Sequence, residues 1–221
     1  MKIGIGLQCR ISSKRFPNKI FYELTPNKTV IDFCLDRCGE IKSLLKGHTV
    51  KIGLLVPQLQ AQIFEHAAEK HKADIITGPE DNVLKRYQNF QRLNDFDYIV
   101  RLTGDCPLLI SEEAAKLIEE VIKFKFDYGV MKTPEDWFDG TDVEIFTPTI
   151  LKKLSEYAVL KNSKETLEHV TWPLNNDNEF FAYKMAWPKN EKYQDVPKLS
   201  IDTTEDYFRV KQFIKECFWI S

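Results

Sequence analysis

Ile3-Gly4-Ile5-Gly6-Leu7 leads directly into Gln8-Cys9-Arg10-Ile11-Ser12-Ser13-Lys14-Arg15-Phe16-Pro17-Asn18-Lys19. The apolar run predicts a buried strand, and the loop after it carries four cations and two hydroxyl groups. Ligands of open α/β sheets bind beyond the carboxyl ends of the strands, and guanidinium groups match phosphate oxygens bidentately. We therefore expect the loop to bind a polyanion such as a nucleoside triphosphate. The alternative is a solvated basic loop.

This loop differs from the common phosphate-binding loops. It has no glycine between Leu7 and Lys19, so it matches neither G-x-x-x-x-G-K-[ST] nor G-x-G-x-x-G. The difference argues against an ordinary kinase or dehydrogenase. Side-chain cations would have to hold the phosphates together with backbone N–H groups.

Strands and helices alternate along the first 126 residues, as in a parallel sheet with right-handed crossovers. Strands are predicted at 3–7, 51–56, 73–76, 97–102, 127–131, 142–146 and 179–185. Helices are predicted from Thr29 (a cap with Asp32) and Ser111, at 148–158 and 164–172, and from Thr203 (a cap with Asp206). Two further helices carry apolar stripes at helical spacing, Leu59, Ile63, Phe64 and Ala67 in one and Val83, Leu84, Tyr87 and Phe90 in the other. This order predicts an α/β fold with a mostly parallel sheet and a single domain over residues 1–221.

Composition excludes several classes of protein. The 221 residues are 43% hydrophobic with a formal net charge of -2, so no global field attracts nucleic acid or a membrane. No apolar run reaches the ~18 residues of a membrane span, and the start has no signal-peptide pattern. Five cysteines, an odd number, agree with reduced thiols in a cytoplasmic protein. The five-residue spacing of His66 and His71 does not suit a zinc helix.

Two aspartates follow predicted strands. Asp105 comes just after the strand at 97–102, and Asp202 follows the short apolar stretch 199–201. Mg²⁺ prefers oxygen ligands and is often held by one or two carboxylates together with substrate phosphates. We expect the two carboxylates to share this cation. The alternatives are an Asx-turn at Asp105 and helix-terminus electrostatics at Asp202.

With these segments identified, the chain resembles the cytidylyltransferase family, which includes 3-deoxy-manno-octulosonate and acylneuraminate cytidylyltransferases. It looks most like the branch of spore coat polysaccharide biosynthesis protein F. Departures from the family pattern are Cys9 for alanine, Gln8 where the sugar-acid branch often has proline, an inserted Asn82, and Thr204 for proline. The matching segments are Cys9–Lys19 (A-R-x-x-S-x-R-[LF]-P-x-K), 78–87 (G-x-x-x-D-V-L-x-R-Y), 105–108 (D-x-P-L), 139–144 (D-G-x-D-V-E), 168–171 (E-H-V-T) and 202–206 (D-T-P-E-D).

The resemblance implies a Rossmann-like three-layer α/β/α sandwich of the nucleotide-diphospho-sugar transferase type. It also implies transfer of CMP from CTP to a sugar acid, sugar phosphate or similar small acceptor, with release of pyrophosphate, for surface polysaccharide or glycoconjugate biosynthesis. Residues 1–126 would bind the nucleotide, and residues 127–221 would bind the acceptor and supply the second metal ligand. Family members are often dimers, so the resemblance suggests a homodimer.

The resemblance also assigns roles to individual residues. Asp105 and Asp202 would ligate Mg²⁺, and Arg15, Lys19 and Asp105 would be catalytic. The nucleotide-binding residues would be Gln8, Arg10, Ser12, Ser13, Arg15, Lys19, Gly78, Arg86 and Asp105. The acceptor-binding candidates are Asp139, Asp142, Glu144, Glu168 and His169.

Three other functions stay open at this level. A guanylyl- or uridylyltransferase acting on a sugar 1-phosphate would use the same chemistry with another base. A glycosyltransferase on a related fold usually presents a D-x-D metal motif, and Gly104-Asp105 offers no second acid two residues away. A non-catalytic nucleotide-sugar sensor would not need to keep both aspartates and all the loop cations.

Overall fold

The computed structural model describes residues 1–133 and 136–216. The strands are β1 (Lys2–Gln8), β2 (Glu23–Thr25), β3 (Lys28–Thr29), β4 (Thr49–Pro57), β5 (Asp74–Gly78), β6 (Tyr98–Thr103), β7 (Tyr128–Val130), β8 (Val143–Phe146) and β9 (Lys184–Ala186). The α-helices are α1 (Val30–Leu44), α2 (Glu65–His71), α3 (Val83–Asn94), α4 (Ser111–Phe124), α5 (Pro148–Leu160), α6 (Lys164–His169), α7 (Trp172–Asn176) and α8 (Thr204–Glu216). Short 3-10 turns lie at Lys19–Phe21, Gln58–Phe64 and Glu191–Tyr193.

Seven strands form one sheet in the order β5-β4-β1-β6-β8-β7-β9, and β2 pairs with β3 in a small hairpin. Within the large sheet, β8 runs antiparallel to both of its neighbours, and the other strands run in one direction. The start of β8 therefore lies at the edge where the parallel strands end. The predicted α/β class and mostly parallel sheet are confirmed, with strands from both halves of the chain in one sheet.

Helices cover both faces of the sheet. One hydrophobic cluster contains the buried residues of α1, α2, α4 and α8, and the other contains those of α3 and α5. Alternation along β1 sends Ile3, Ile5 and Leu7 into the first cluster. Both predicted capping boxes, Thr29 with Asp32 and Thr203 with Asp206, are present. Among the described helices, none is long and apolar enough to cross a membrane.

The other face of β1 is made of glycines because aromatic rings lie directly on the backbone. A Cβ atom on Gly4 would come within 2.4 Å of the Phe96 ring, and one on Gly6 within 2.6 Å of the Tyr87 ring. Such distances are far inside van der Waals contact, so only glycine fits while the rings stay in place. The Ile-Gly-Ile-Gly alternation of β1 is therefore a packing requirement of this face.

Three sequence predictions were wrong in detail. Leu59 and Ile63 do not line a helix core; they are 98% and 50% exposed, because Gln58–Phe64 is a 3-10 segment that turns Gln60 and Phe64 inward. The strand predicted at 179–185 is shorter and starts later, at β9 (Lys184–Ala186). The residues before it form a turn in which the Glu179 N–H donates to the Asp177 side chain.

The predicted helix at 164–172 is two helices, α6 and α7. Val170 between them has a φ of 43°, a backbone conformation that a β-branched residue rarely adopts. Pro173, at the start of α7, has no N–H to continue an earlier helix. The break turns the chain directly after Glu168 and His169.

Replacing Gly4 with alanine should destabilise the fold by roughly 1–3 kcal/mol, because the new methyl group overpacks against the Phe96 ring. Urea unfolding of Gly4→Ala measures the change. Gly39→Ala is the matched control, since nothing lies within 4 Å of its added Cβ. This control lies inside α1 and should gain about 0.5–1 kcal/mol from helix propensity. Equal effects of the same sign would contradict the packing argument.

Candidate functional site

The basic loop and Asp105 meet because β1 and β6 are adjacent parallel strands, with Gln8 opposite Thr103. The Gly104 N–H donates to the Gln8 carbonyl over 2.9 Å. A Cβ on Gly104 would lie 2.4 Å from the Cys9 sulfur, so glycine permits this close approach. Asp105 is thereby placed beside the first turn of the basic loop.

A distant segment brings Asp202 to the same place. The Ile201 N–H donates to the Asp105 carbonyl over 2.8 Å, and the N–H groups of Leu199 and Ser200 both donate to the Asp139 carbonyl. These bonds fix residues 199–202 beside the end of β6. The short strand predicted at 199–201 was wrong, because this segment bonds to the Asp105 and Asp139 carbonyls in the connections after β6 and β7 rather than to a strand of the sheet. Asp202 therefore follows a backbone anchored to Asp105 itself.

The Lys19 ammonium group joins the two aspartates. Its Nζ atom lies 3.1 Å from Asp105 Oδ2 and 3.4 Å from Asp202 Oδ1, and it also donates to the Ile201 carbonyl. The Arg15 guanidinium lies 3.0 Å from Asp202 Oδ1. Burial acts to raise the pKa of Asp105, but the Lys19 charge and hydrogen bonds hold it below its ordinary value. Asp105 is therefore ionised at neutral pH.

A cavity of about 590 Å³ opens above these groups. Of the predicted nucleotide-binding residues, all but Gly78 line it, and so do Asp202, Glu168 and His169. Gly78 lies beneath the Arg86 side chain, where a Cβ would be 2.8 Å from the Arg86 Cγ. Arg86 itself is buried and donates to the Cys9 and Leu55 carbonyls. It thus ties the start of the loop to β4.

The loop is held open by contacts with its rim. Arg10 pairs with Glu168 on α6 over 2.8 Å, and the Ser12 hydroxyl donates to Glu80. The buried Gln60 accepts from the Ile11 N–H over 2.9 Å through its Oε1 atom. These contacts attach one side of the loop to α6 and the other to Gln60 after β4 and Glu80 after β5.

The five acceptor-binding candidates do not form one group. Glu168 and His169 line the first cavity, whereas Asp142 and Glu144 line a second cavity of about 370 Å³. Arg101 lines both cavities. The Asp139 carboxylate lies away from either, 3.7 Å from Lys198.

Family membership follows from comparison with known proteins. Residues 5–218 match a family described as cytidylyltransferase. The chain belongs to the cytidylyltransferase family. The family resemblance and the fold expected from the sequence are both confirmed.

Two relatives in sequence span nearly the whole chain. An uncharacterised protein of Methanocaldococcus jannaschii is 31% identical over 210 residues, 94% of this chain and 81% of the relative. Spore coat polysaccharide biosynthesis protein SpsF of Bacillus subtilis is 24% identical over 210 residues, 93% of this chain and 83% of SpsF.

Many solved structures are similar to the chain, and two of them are informative here. A cytidylyltransferase from Leptospira borgpetersenii has a TM-score of 0.82 with 27% identity and covers 100% of this chain and 89% of its own. A CMP:2-keto-3-deoxy-manno-octonic acid synthetase complexed with CTP has a TM-score of 0.67 with 14% identity, covering 98% and 99%. The second likeness shows the fold alone.

In this cytidylyltransferase-family chain, the donor set at Asp105 and Asp202 suits a hard divalent cation, because both side chains offer carboxylate oxygens. Across the described ranges 1–133 and 136–216, no cluster of three or more His, Cys, Asp or Glu side chains could hold a metal ion. Two carboxylates completed by phosphate oxygens are a usual arrangement for Mg²⁺. The residues present therefore fit the ion that the family implies.

Glu144 lies deeper than the sequence indicated. Its carboxylate is buried, pairs with Arg101, and accepts from the hydroxyls of Tyr128 and Thr171. Arg101 in turn donates from Nε to the Gln8 Oε1 atom over 3.1 Å. Glu144 thus orients Arg101 and, through it, Gln8 at the floor of the first cavity.

Asp142 remains the accessible acid of the second cavity. It accepts from the Thr133 hydroxyl over 2.7 Å and from the Cys106 thiol over 3.1 Å. Burial raises its pKa, and the nearby Asp105 charge adds to the effect. Cys106 is one of four buried free thiols, with Cys9, Cys34 and Cys38; Cys217 lies outside the described residues.

Sequence reasoning missed Arg101, Gln60 and Glu80, which contact or line these cavities. Lys132, which the sequence offered as counter-charge for an acceptor, lines the second cavity. Arg101 had a usable signal, because a charged residue inside an apolar strand must find a partner. Strand alternation also places Arg101 on the same face of β6 as Thr103, and both residues line the first cavity. Gln60 gave no signal, since only the 3-10 geometry turns it inward.

Replacing Arg101 with methionine should destabilise the chain by about 3–5 kcal/mol, because the buried Glu144 carboxylate loses its cation. Urea unfolding measures the loss. The double variant Arg101→Met/Glu144→Gln also removes the unpaired charge of Glu144, so it should recover part of the lost stability. A double variant less stable than Arg101→Met would refute this account of the pair.

The depressed pKa of Asp105 predicts a pH-dependent contribution to stability. A carboxyl group whose folded pKa is below its ordinary value of 3.8 stabilises the fold above that value and loses the effect as pH falls through the folded pKa. The free energy of unfolding should therefore exceed that of Asp105→Asn at pH 7, and the difference should shrink below about pH 4. A difference that grows on acidification would contradict the assignment.

Proposed function

We propose that the chain transfers CMP from CTP to a small acceptor, a sugar acid, a sugar phosphate or a similar molecule, and releases pyrophosphate. The observation that carries the proposal is the convergence of Asp105, Asp202 and the basic loop on one cavity, with Lys19 between the carboxylates. Membership in the cytidylyltransferase family supports CTP as the donor. The similarity to SpsF supports a role in surface polysaccharide or glycoconjugate biosynthesis.

The loop supplies the triphosphate-binding groups. Arg10, Ser13, Arg15 and Lys19 line the cavity, and their cations match phosphate oxygens in charge and geometry. Ser12 also lines the cavity, but its hydroxyl donates to Glu80, so it belongs to the part of the site that is farther from the reacting phosphate. The Asp105 end of the cavity holds Lys19 and Arg15, so the reacting phosphate belongs there. Asp105 and Asp202 would bind Mg²⁺, which neutralises phosphate charge and orients the reacting oxygens when bound.

The reaction requires an acceptor oxygen to attack the α-phosphorus in line while the α–β phosphoanhydride bond breaks. The protein contributes positioning and charge stabilisation rather than a covalent intermediate. Arg15 and Lys19 would stabilise the charge that develops on the departing pyrophosphate. Both already lie within 3.4 Å of an Asp202 oxygen, so each stands beside a proposed metal ligand before the substrate arrives.

The second cavity is the proposed acceptor pocket. It adjoins the first through Arg101, and it presents Asp142 together with Lys132, Asn175 and Asn176. The amide N–H groups of both asparagines donate to protein atoms, which leaves their oxygens for hydroxyl groups of a ligand. Glu168 and His169, at the rim of the first cavity, would face the acceptor from the other side.

Asp105→Asn and Asp202→Asn should each lower the rate of pyrophosphate release from CTP by at least about 100-fold, because each removes a charge that positions the reacting groups. A coupled pyrophosphate assay over a panel of sugar acids and sugar phosphates, with Mg²⁺, measures the rate. Asp36→Asn, a carboxylate on α1 that pairs with Lys28, is the control and should keep its turnover. Near-normal turnover of either site variant would overturn the metal assignment.

A further inference from the structure

Four carboxylates line the first cavity, and one differs from the rest. Asp105 and Asp202 are paired with Lys19, and Glu168 is paired with Arg10. Within residues 1–133 and 136–216, Glu80 has no ion pair. Its partners are neutral, the Ser12 hydroxyl and the Gln60 amide, whose Nε2 atom lies 3.4 Å away. Arg86 lies near enough to interact with Glu80 electrostatically, but its guanidinium makes no ion pair with it, so the carboxylate can accept from a ligand.

Glu80 lies at the opposite end of the cavity from the reacting phosphate. It follows β5, whereas Asp105 follows β6, and these strands are three places apart in the sheet. At about 4.8 Å per strand, this places the two ends roughly 14 Å apart. An unpaired carboxylate repels phosphates, so the Glu80 end suits the nucleobase. Val83 adds an apolar wall there.

The neighbours of Glu80 fix its orientation. The Gln60 Oε1 atom is occupied by the Ile11 N–H over 2.9 Å, so the Gln60 Nε2 group must be the one that faces Glu80. An ionised carboxylate accepts about four hydrogen bonds and donates none. Ser12 and Gln60 use two of them, which leaves lone pairs for one donor of the ligand.

We propose that Glu80 selects cytosine over uracil by accepting a hydrogen bond from the exocyclic amino group of the base. This inference rests on the proposed function, since it assumes that the nucleotide occupies this cavity. Uracil carries a carbonyl oxygen where cytosine carries the amino group, and two acceptors facing each other repel. A site built to bond one polar group rejects the analogue that lacks it.

The test compares the CTP and UTP affinities of the full chain by isothermal titration calorimetry with Mg²⁺ and without an acceptor. The unchanged protein should prefer CTP. In Glu80→Gln the side-chain amide can rotate to suit either base, so the CTP-to-UTP affinity ratio should fall by at least about tenfold. Glu168→Gln is the matched control, because it also removes a cavity carboxylate. It should change both affinities in parallel and keep the ratio.

Several results would overturn the proposal. If Glu80→Gln weakens both nucleotides equally, Glu80 only holds the loop through Ser12. An unchanged ratio in Glu80→Gln, or no preference for CTP in the unchanged protein, also rejects it. The proposed function has a different failure: CTP binds, but no acceptor in the panel yields pyrophosphate. In that case the CTP-to-UTP affinity ratio still tests the role of Glu80.

Discussion

One buried ammonium group connects the parts of the chain that form the site. Lys19 follows β1, Asp105 follows β6, and Asp202 lies 183 positions beyond Lys19 in the sequence. Two carboxylates this close would repel each other, and burying any one of the three charges alone would be costly. Lys19 offsets the repulsion between the two carboxylates, and Arg15 and Lys198 add positive charge at Asp202. The floor of the cavity therefore forms only when β1, β6 and the segment before Asp202 are all in place. The same charges hold the basic loop in one arrangement at the end of β6.

A second buried charge pair supports that floor. Glu144, Arg101 and Gln8 form a polar chain between the two cavities, and Glu144 is completed by Tyr128 and Thr171. Thr171 follows the break after α6, so the helix that presents Glu168 and His169 is tied to the same carboxylate. The orientation of the polar groups in both cavities therefore depends on one glutamate, whose side chain is only 8% exposed.

The sequence predicted those features that depend on strand ends. Ile3–Leu7 followed by a basic loop, and Asp105 after β6, are local patterns, and adjacency of parallel strands brings them together. Strand alternation indicated which face of β8 the Glu144 side chain occupies. It did not indicate how deeply that side chain is buried, because alternation gives no information about which residues cover it. Leu59 and Ile63 were misassigned because a 3-10 turn has three residues per turn rather than 3.6. The break at Val170 needed a backbone conformation that no sequence pattern indicates.

The reversed direction of β8 has a consequence for how the two cavities are linked. Since β7 ends and β8 begins at the same edge of the sheet, the connection between them leaves and re-enters beside the second cavity, with Met131 at one end and Asp142 at the other. Trp137 and Phe138 of this connection are buried in the core, and the Asp139 carbonyl accepts from the N–H groups of Leu199 and Ser200. A change in the length of this connection would therefore be transmitted to the backbone that carries Asp202, so one cavity cannot be reshaped without disturbing the other.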